Sequence, residues 1–587
     1  MAMASALLGC GTTAPPPAVE TMQATPEALP EPEPPAPVVA PWVLRPELAE
    51  AQRRIDGGDW AAAARLLGTL DLATLNVDEQ DFLQLQSARA AFLKGSVADA
   101  NRQLQALAGK AGQHPELQRA MALVRIELAI LQDAHLQAAA LADSLLTLGV
   151  LRDAESVAVT DALWLALHRI DDGALRSART GARGSWRGWL ELATVSRDAS
   201  INAPQRAERL ERWLGDNPGH LAATSPPEAL LTLTDLPPAA RSIALLLPLT
   251  GPLSAAAAAA RDGFLAAFLA QEGGHNQRPH VIVLDTSERG IEAAWMEALN
   301  AGADHIVGPL DRNFLAELAR WRERPLPVIA LNRLEDTDDI HPGRLTQLSL
   351  APEDEAQQLA RLAFAAGHRK ALILHSDGIW ADKLRLALQA QWQALGGQIV
   401  DTATLGSRSD VSAALEGALQ IGGSEARAQE LRRLLGSELA FTPRRRQDID
   451  VVFLLAADPA EARSVRPLLD FHYASDVPLF TTSHAYAGQR NAAQDRDLEG
   501  VTVLALPLLL AEAEPLRNSA TESERRDTGL LSLRALGADA YALLALPADR
   551  PVLLRGHTGL LQREQSGKVL RESQPALFTR GALKGLY

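Results

Sequence analysis

Serine, lysine and histidine at the right spacings would mark an acyl-transfer or hydrolytic site, and this chain of 587 residues carries few such arrangements. A serine transpeptidase or β-lactamase needs Ser-x-x-Lys, because the lysine must lie one helical turn from the nucleophile. No serine here has a lysine three residues on. His557-Thr558-Gly559 has the form of the third motif of such enzymes, but without the first it reads as a strand leading into a turn. There is no His-Glu-x-x-His zinc helix and no cysteine pair to hold a metal. Ser566-Gly567-Lys568 lacks the upstream glycine of a phosphate loop, and residues 560–570 are expected to form a hairpin turning at Ser566-Gly567. The reading is of a protein without catalytic residues, metal or cofactor.

The one sulfur nucleophile is Cys10, the only cysteine in the chain, at the end of Leu7-Leu8-Gly9-Cys10. An apolar run from Ala2 to Leu8 leads into a small residue and the thiol, which resembles a bacterial lipobox. In such a motif residues 1–10 are a signal segment, cleaved before a cysteine whose sulfur takes a diacylglycerol. Met1 to Ser5 carry no Lys or Arg, the one departure from a signal peptide's basic opening. Gly11, rather than Asp, follows the cysteine, and in enterobacterial lipoproteins this implies sorting to the outer membrane. A lone cysteine also excludes an internal disulfide. The net charge of −15 argues against a nucleic-acid partner, which needs clustered Lys and Arg.

Several elements must stand between such an anchor and any working surface. Residues 11–46 are expected to be an extended tether, with Pro15-Pro16-Pro17, Pro34-Pro35 and further prolines among Glu20, Glu27, Glu31 and Glu33. At about 3.1 Å per residue it would reach roughly 90–100 Å. Residues 47–235 carry apolar positions at three- and four-residue spacing and are predicted helical. Gly58-Asp59-Trp60 with Ala61 to Ala63 and Leu67 returns as Gly95-Ser96-Val97 with Ala98, Ala100 and Leu104. A weaker third copy runs through Asp133, Ala134 and Ala138, and the period is near that of tetratricopeptide helix pairs. Trp60, Trp164, Trp186, Trp189 and Trp213 are expected as core wedges. From Ser242 short apolar strands alternate with amphipathic helices, in two consecutive series, which predicts parallel sheets covered on both faces and two lobes with a cleft between them. Their strands are expected at 243–247, 281–284, 306–307 and 328–331, then at 371–374, 399–405, 451–455 and 479–482.

Ile243 to Pro252, reading IALLLPLTGP, followed by a helix with Arg261-Asp262-Gly263, resembles the opening of a type I periplasmic-binding domain. Ile306-Val307-Gly308-Pro309-Leu310 and Val328-Ile329-Ala330-Leu331-Asn332 resemble its third and fourth strands. The order of lipobox, proline tether, tetratricopeptide-like helices and a two-lobed domain over 240–587 resembles the LpoA (LppC) family. Arg444-Arg445-Arg446-Gln447-Asp448-Ile449-Asp450 resembles a segment typical of that family. The resemblance implies an outer-membrane lipoprotein on the periplasmic face. It would dock on a class A penicillin-binding protein, a bifunctional peptidoglycan synthase of the inner membrane, and stimulate its transpeptidase. The implied partners are that synthase, the outer membrane through the lipid, and peptidoglycan itself.

The competing reading is a receptor for an amino-acid-like solute. In solute-binding relatives of the two-lobed fold, hydroxyls and backbone N–H groups at strand ends hold such a ligand. Thr250, Gly251 and Ser254 follow the first strand, Gly308 the third and Asn332 the fourth. His375, Ser376 and Asp377 would face them from the second lobe, with Thr481, Thr482 and Ser483 nearby. Loops at strand ends are polar in any case, and Gly308-Pro309 is also the composition of a turn. Arg444, Arg445 and Arg446 would either meet an acidic partner patch or pair with Asp448 and Asp450. Cys10→Ala is expected to release the protein from the envelope fraction; retention of the variant on membranes would refute acyl anchoring.

Overall fold

A computed structural model describes residues 44–108, 114–270, 278–335, 340–406, 410–436, 441–510 and 515–586. Cys10 and the proline-rich segment lie outside the described residues. Described helices run from Pro46–Asp56 to Glu228–Thr234. Their hairpins turn on left-handed residues at Gly58, Gly95 and Asp133, with φ of 83°, 99° and 56°. Each is followed by a helix, Trp60–Gly68, Val97–Ala108 and His135–Leu148. The third copy is hard to see in sequence because Asp133 replaces glycine at the turn; a short polar side chain tolerates that conformation where most do not. Trp164 and Trp189 are buried in the helical core, while Trp60, Trp186 and Trp213 are half-buried.

The first lobe is a five-stranded sheet of β1 (Ser242–Leu247), β2 (His280–Asp285), β3 (His305–Val307), β4 (Val328–Ala330) and β5 (Leu345–Gln347), ordered 2-1-3-4-5. All its pairings are parallel. In the second lobe β6 (Lys370–Ser376), β7 (Gln398–Leu405), β8 (Val451–Leu455), β9 (Leu479–Thr481) and β10 (Thr502–Ala505) repeat that order as 7-6-8-9-10. A small antiparallel sheet follows, of β11 (Val552–Arg555), β12 (Leu560–Arg563) and β13 (Val569–Glu572). The chain then re-enters the second lobe as β14 (Gln574–Thr579), antiparallel to β10, and β15 (Ala582–Gly585), antiparallel to β14. Two sheets of one parallel topology joined by repeated crossings make the type I periplasmic-binding architecture. The strands read as unbroken apolar runs because helices cover both faces; every residue of Val451–Leu455 is buried.

Three crossings link the lobes. The first runs from β5 into the helix Pro352–Ala365, and the third from β13 into β14 through Ser573. The second is the helix Thr528–Leu543, whose Leu536, Ala540 and Leu543 join the first core and whose Leu531, Ala535 and Ala538 join the second. It lies backbone to backbone on the helix Ser254–Ala270. A Cβ at Gly263 would stand 1.8 Å from the Arg534 carbonyl oxygen, and one at Gly537 1.8 Å from that of Ala260.

The helical region is not a separate core. Trp164, Trp189 and Leu230 share one apolar cluster with Ile243 and Leu245 of β1 and with Val552 and Leu561 of the small sheet. The predicted boundary near residue 240 divides helix from sheet, and the packing runs through it. Polar contacts reinforce it: Arg169 holds Glu572 through two hydrogen bonds of 2.8 and 2.5 Å, and Arg555 donates to the His168 carbonyl at 3.0 and 2.7 Å. The same helices grip the second lobe. Arg369, at the foot of β6, donates to the Phe92 and Leu93 carbonyls at 3.1 and 3.2 Å, with its guanidinium 3.5 Å from the Phe364 ring centre. Burial pulls its pKa down to about 10, still charged at neutral pH. Gly537→Ala is expected to force the two helices apart and cost about 1–3 kcal/mol, read as a fall in melting temperature; an unchanged melting curve would show the contact to be adjustable.

Candidate functional site

The crossings meet in a buried polar network. Glu355, in the first turn of Pro352–Ala365, is 1 % exposed, and Arg571 of β13 is 2 % exposed; they pair at 2.8 Å. The carboxylate also accepts from the Ser483 amide (3.0 Å), the Ser483 hydroxyl (3.1 Å) and the Ser573 hydroxyl (3.2 Å). Arg571 further donates to the Thr558 carbonyl at 3.2 Å and to the Ser573 hydroxyl at 2.6 Å. Thr558 in turn gives its amide (2.9 Å) and hydroxyl (2.6 Å) to Asp539, on the second crossing. One chain of hydrogen bonds therefore ties all three crossings. Burial opposes the charge on Glu355, but Arg571, His484 and the Ser483 amide outweigh it and hold the carboxyl below the ordinary glutamate range. Glu572 is held down in the same sense, with burial opposed by Arg169 and Arg361.

Against this frame, the predicted cleft residues are mostly occupied by structure. Thr250 is exposed, with its amide and carbonyl bound by the Ser287 hydroxyl at 3.0 and 3.2 Å. Gly251, at φ 78°, turns the chain into the helix that starts at Ser254. Gly308 is required by packing: a Cβ there would lie 2.2 Å from the Leu246 carbonyl oxygen. The Asn332 side chain donates to the Leu310 carbonyl at 2.9 Å and accepts from the Arg333 amide at 2.8 Å.

In the second lobe Thr481 is fully buried and its hydroxyl donates to the Leu454 carbonyl at 2.8 Å, so it does not face the cleft. Ser376 is buried, donates to Glu461 and accepts from the Ala457 amide at 2.8 Å. His375 is buried against the Ser376 carbonyl at 2.8 Å, and the fully buried Thr482 precedes Ser483, whose polar groups serve Glu355. Asp377 is exposed.

A cavity of ≈ 510 Å³ does open at the ends of β6, β7 and β8, lined by Ser376, Asp377, Asp458, Glu461 and Ser464 among others. None of its lining comes from the first lobe. Its charged groups are carboxylates, which would repel the carboxylate of an amino acid. The amides at the start of the helix Pro459–Phe471 are already capped, with Asp458 accepting from Ala460 and Glu461 at 2.8 and 2.9 Å. Lys383 of the second lobe meets Glu335 of the first at 3.1 Å, an exposed pair across the lobes.

The arginine run divides. Arg444 is exposed. Arg445 is buried, paired with Asp476 at 2.6 Å and donating to the Tyr473 carbonyl at 3.1 Å. Arg446 pairs with Asp448 at 2.7 Å and Asp401 at 2.8 Å. The run is therefore no three-residue partner surface: Arg445 and Arg446 cement the second lobe, and Arg444 alone of the three is exposed. Asp450 instead accepts the Arg369 and Lys370 amides at 3.0 and 2.9 Å. His557-Thr558-Gly559 is the turn between β11 and β12, and Ser566-Gly567 the turn between β12 and β13. Among the described residues no group of three or more metal-ligating side chains converges, and no helix is long and apolar enough to cross a membrane.

Residues 47–581 match the family model described as "LppC putative lipoprotein". The chain belongs to the LppC family. Curated relatives of this LppC chain include the Penicillin-binding protein activator LpoA of Vibrio cholerae, 28% identical over 445 residues, which cover 72% of this chain and 71% of the relative. The protein of that name from Vibrio antiquarius is 30% identical over 418 residues, 68% and 66% of the two chains. The crystal structure of full-length LpoA from Haemophilus influenzae superposes with a TM-score of 0.53 at 23% identity, over 92% of this chain and 94% of that one, and shares the fold.

Sequence inspection missed Glu355, Arg571, Glu572 and Arg369. Glu355 sits in Glu353-Asp354-Glu355, which reads as an ordinary acidic first turn, and its partner lies 216 residues away. Glu355→Gln would leave Arg571 buried without its counter-charge and is expected to cost about 3–5 kcal/mol in denaturant unfolding. Glu355 and Glu572 titrate lower folded than unfolded, so their stabilisation is complete above pH 4.5 and drains away as pH falls through the depressed folded values. Glu355→Gln should flatten that acid limb; an unaltered limb would exclude Glu355 as its source.

Proposed function

We propose that this LppC-family chain is a lipid-anchored, non-catalytic activator that docks on a class A penicillin-binding protein and stimulates its transpeptidase. The observation that carries the reading is the alignment with relatives named Penicillin-binding protein activator LpoA over 72% of the chain, in a family described as lipoproteins. Cys10 would take the lipid, on the periplasmic face of the outer membrane, and residues 11–46 would give the body its reach. A regulator needs a surface and a stiff frame rather than a reactive side chain. The helical region gripping both lobes suits such a role, since a receptor that closes on a solute must let its lobes move.

Stimulation by binding has a definite cost structure. To shift the synthase tenfold toward its competent state, the activator must bind that state about 1.4 kcal/mol more tightly than the idle one. The solute-receptor reading finds less support: the first-lobe strand ends are occupied by local hydrogen bonds, and the second-lobe cavity is acidic. The decisive measurement adds the purified protein to a class A synthase polymerising lipid-linked precursor. The cross-linked fraction is expected to rise severalfold and to saturate with activator. Unchanged cross-linking, together with thermal stabilisation by an amino acid, would favour the receptor instead.

A further inference from the structure

The helix Ile421–Leu435, inserted between β7 and β8, carries one stripe of small and apolar residues at helical spacing: Ile421, Ser424, Ala428, Leu431 and Leu435. The first three are buried against the second lobe. The stripe then runs past the edge of the lobe. Leu431 is 51 % exposed and Leu435 61 %, with Leu434 beside them at 75 %. At 1.5 Å per residue these leucines lie about 10–17 Å along the helix from Ser424.

The base of this helix joins a second exposed group. The Arg444 amide donates to the Ser424 hydroxyl at 3.1 Å, and the neighbouring Arg445 guanidinium donates to the Tyr473 carbonyl at 3.1 Å. Tyr473 is 53 % exposed and Phe471, two residues earlier, 72 %. With Phe441 they are the exposed aromatic side chains among the described residues. Tyr473 also has φ of 59°, a left-handed position just past a helix end that glycine or asparagine would fill with less strain. The tyrosine side chain there is half exposed to solvent.

We propose that this face of the second lobe is a docking surface for an acidic protein segment that presents apolar side chains, supplied by the synthase; the assignment rests on the function proposed above. Charge selects the occupant. Within a chain of net charge −15, the exposed charges on the helix and at Arg444 are Arg427, Arg432, Arg433 and Arg444 against Glu425 and Glu430, a local excess of positive charge. Arginine, tyrosine and phenylalanine are enriched in protein interfaces, and lysine is depleted there. An acidic segment would meet the exposed arginines of the helix and Arg444 while its apolar groups cover the exposed leucines.

The test measures binding of the purified class A synthase to the full chain, as wild type, Leu434→Ser with Tyr473→Gly, and Arg444→Glu. The double variant is expected to bind at least tenfold more weakly and to need correspondingly more protein for the same stimulation. Tyr473→Gly alone should melt no lower than wild type, which separates lost contact from lost folding. Arg444→Glu should weaken binding and lessen its dependence on salt. Equal affinity of all variants, with wild type bound, would overturn this surface and leave the activator reading standing. No binding by wild type would overturn both. Two further results would reassign the face: a wild-type dimer that the double variant loses, or wild-type retention on phosphatidylglycerol vesicles that the variants lack.

Discussion

Glu355 and Arg571 face each other at 2.8 Å where three passages of the chain between the lobes come together, and neither has access to water. A buried ion pair of this kind adds little net stability over an apolar one, because desolvation offsets most of the attraction. What it imposes is geometry. Both carboxylate oxygens and both terminal guanidinium nitrogens of the pair have partners to keep, so Ser483, Ser573 and Thr558 are held in place, and through Thr558 so is Asp539. The arrangement of the lobes is thereby tied to the hydrogen-bond geometry of a few atoms.

The helical region extends that constraint outward. Arg169 grips Glu572, the residue after Arg571, while Arg369 ties the foot of β6 to the carbonyls of Phe92 and Leu93. One contact lies beside the crossings and the other on the far lobe, so both lobes are referred to a common scaffold. The architecture of a solute receptor is retained, but its strand ends are bound locally and its lobes are braced.

Much of the fold was legible along the chain. Val451–Leu455 could be read at its true ends because a strand buried on both faces is apolar throughout. The strands β5, β10, β14 and β15 were not assigned. β5 is three residues long, β14 follows a hairpin without a helix, and Pro507 obscures the apolar run that contains β10. The helices Ile421–Leu435 and Thr528–Leu543 also escaped notice. The first is rich in glycine and charge, and the second is apolar on several sides because it serves two cores.

Local pattern alone decided the order of parts: a lipobox-like run, a proline-rich stretch, paired helices, then two series of parallel strands. Those features are written in spacing and composition, which neighbours along the chain determine. Only the tertiary structure decided which polar groups were available. Thr481 and Arg445 look like binding residues until their partners, 27 and 31 positions away, take up their hydrogen bonds. Tyr473 and Leu434 are large side chains that the lobe leaves exposed. Whether a side chain is satisfied or left facing water depends on contacts between distant segments, and no periodicity records those.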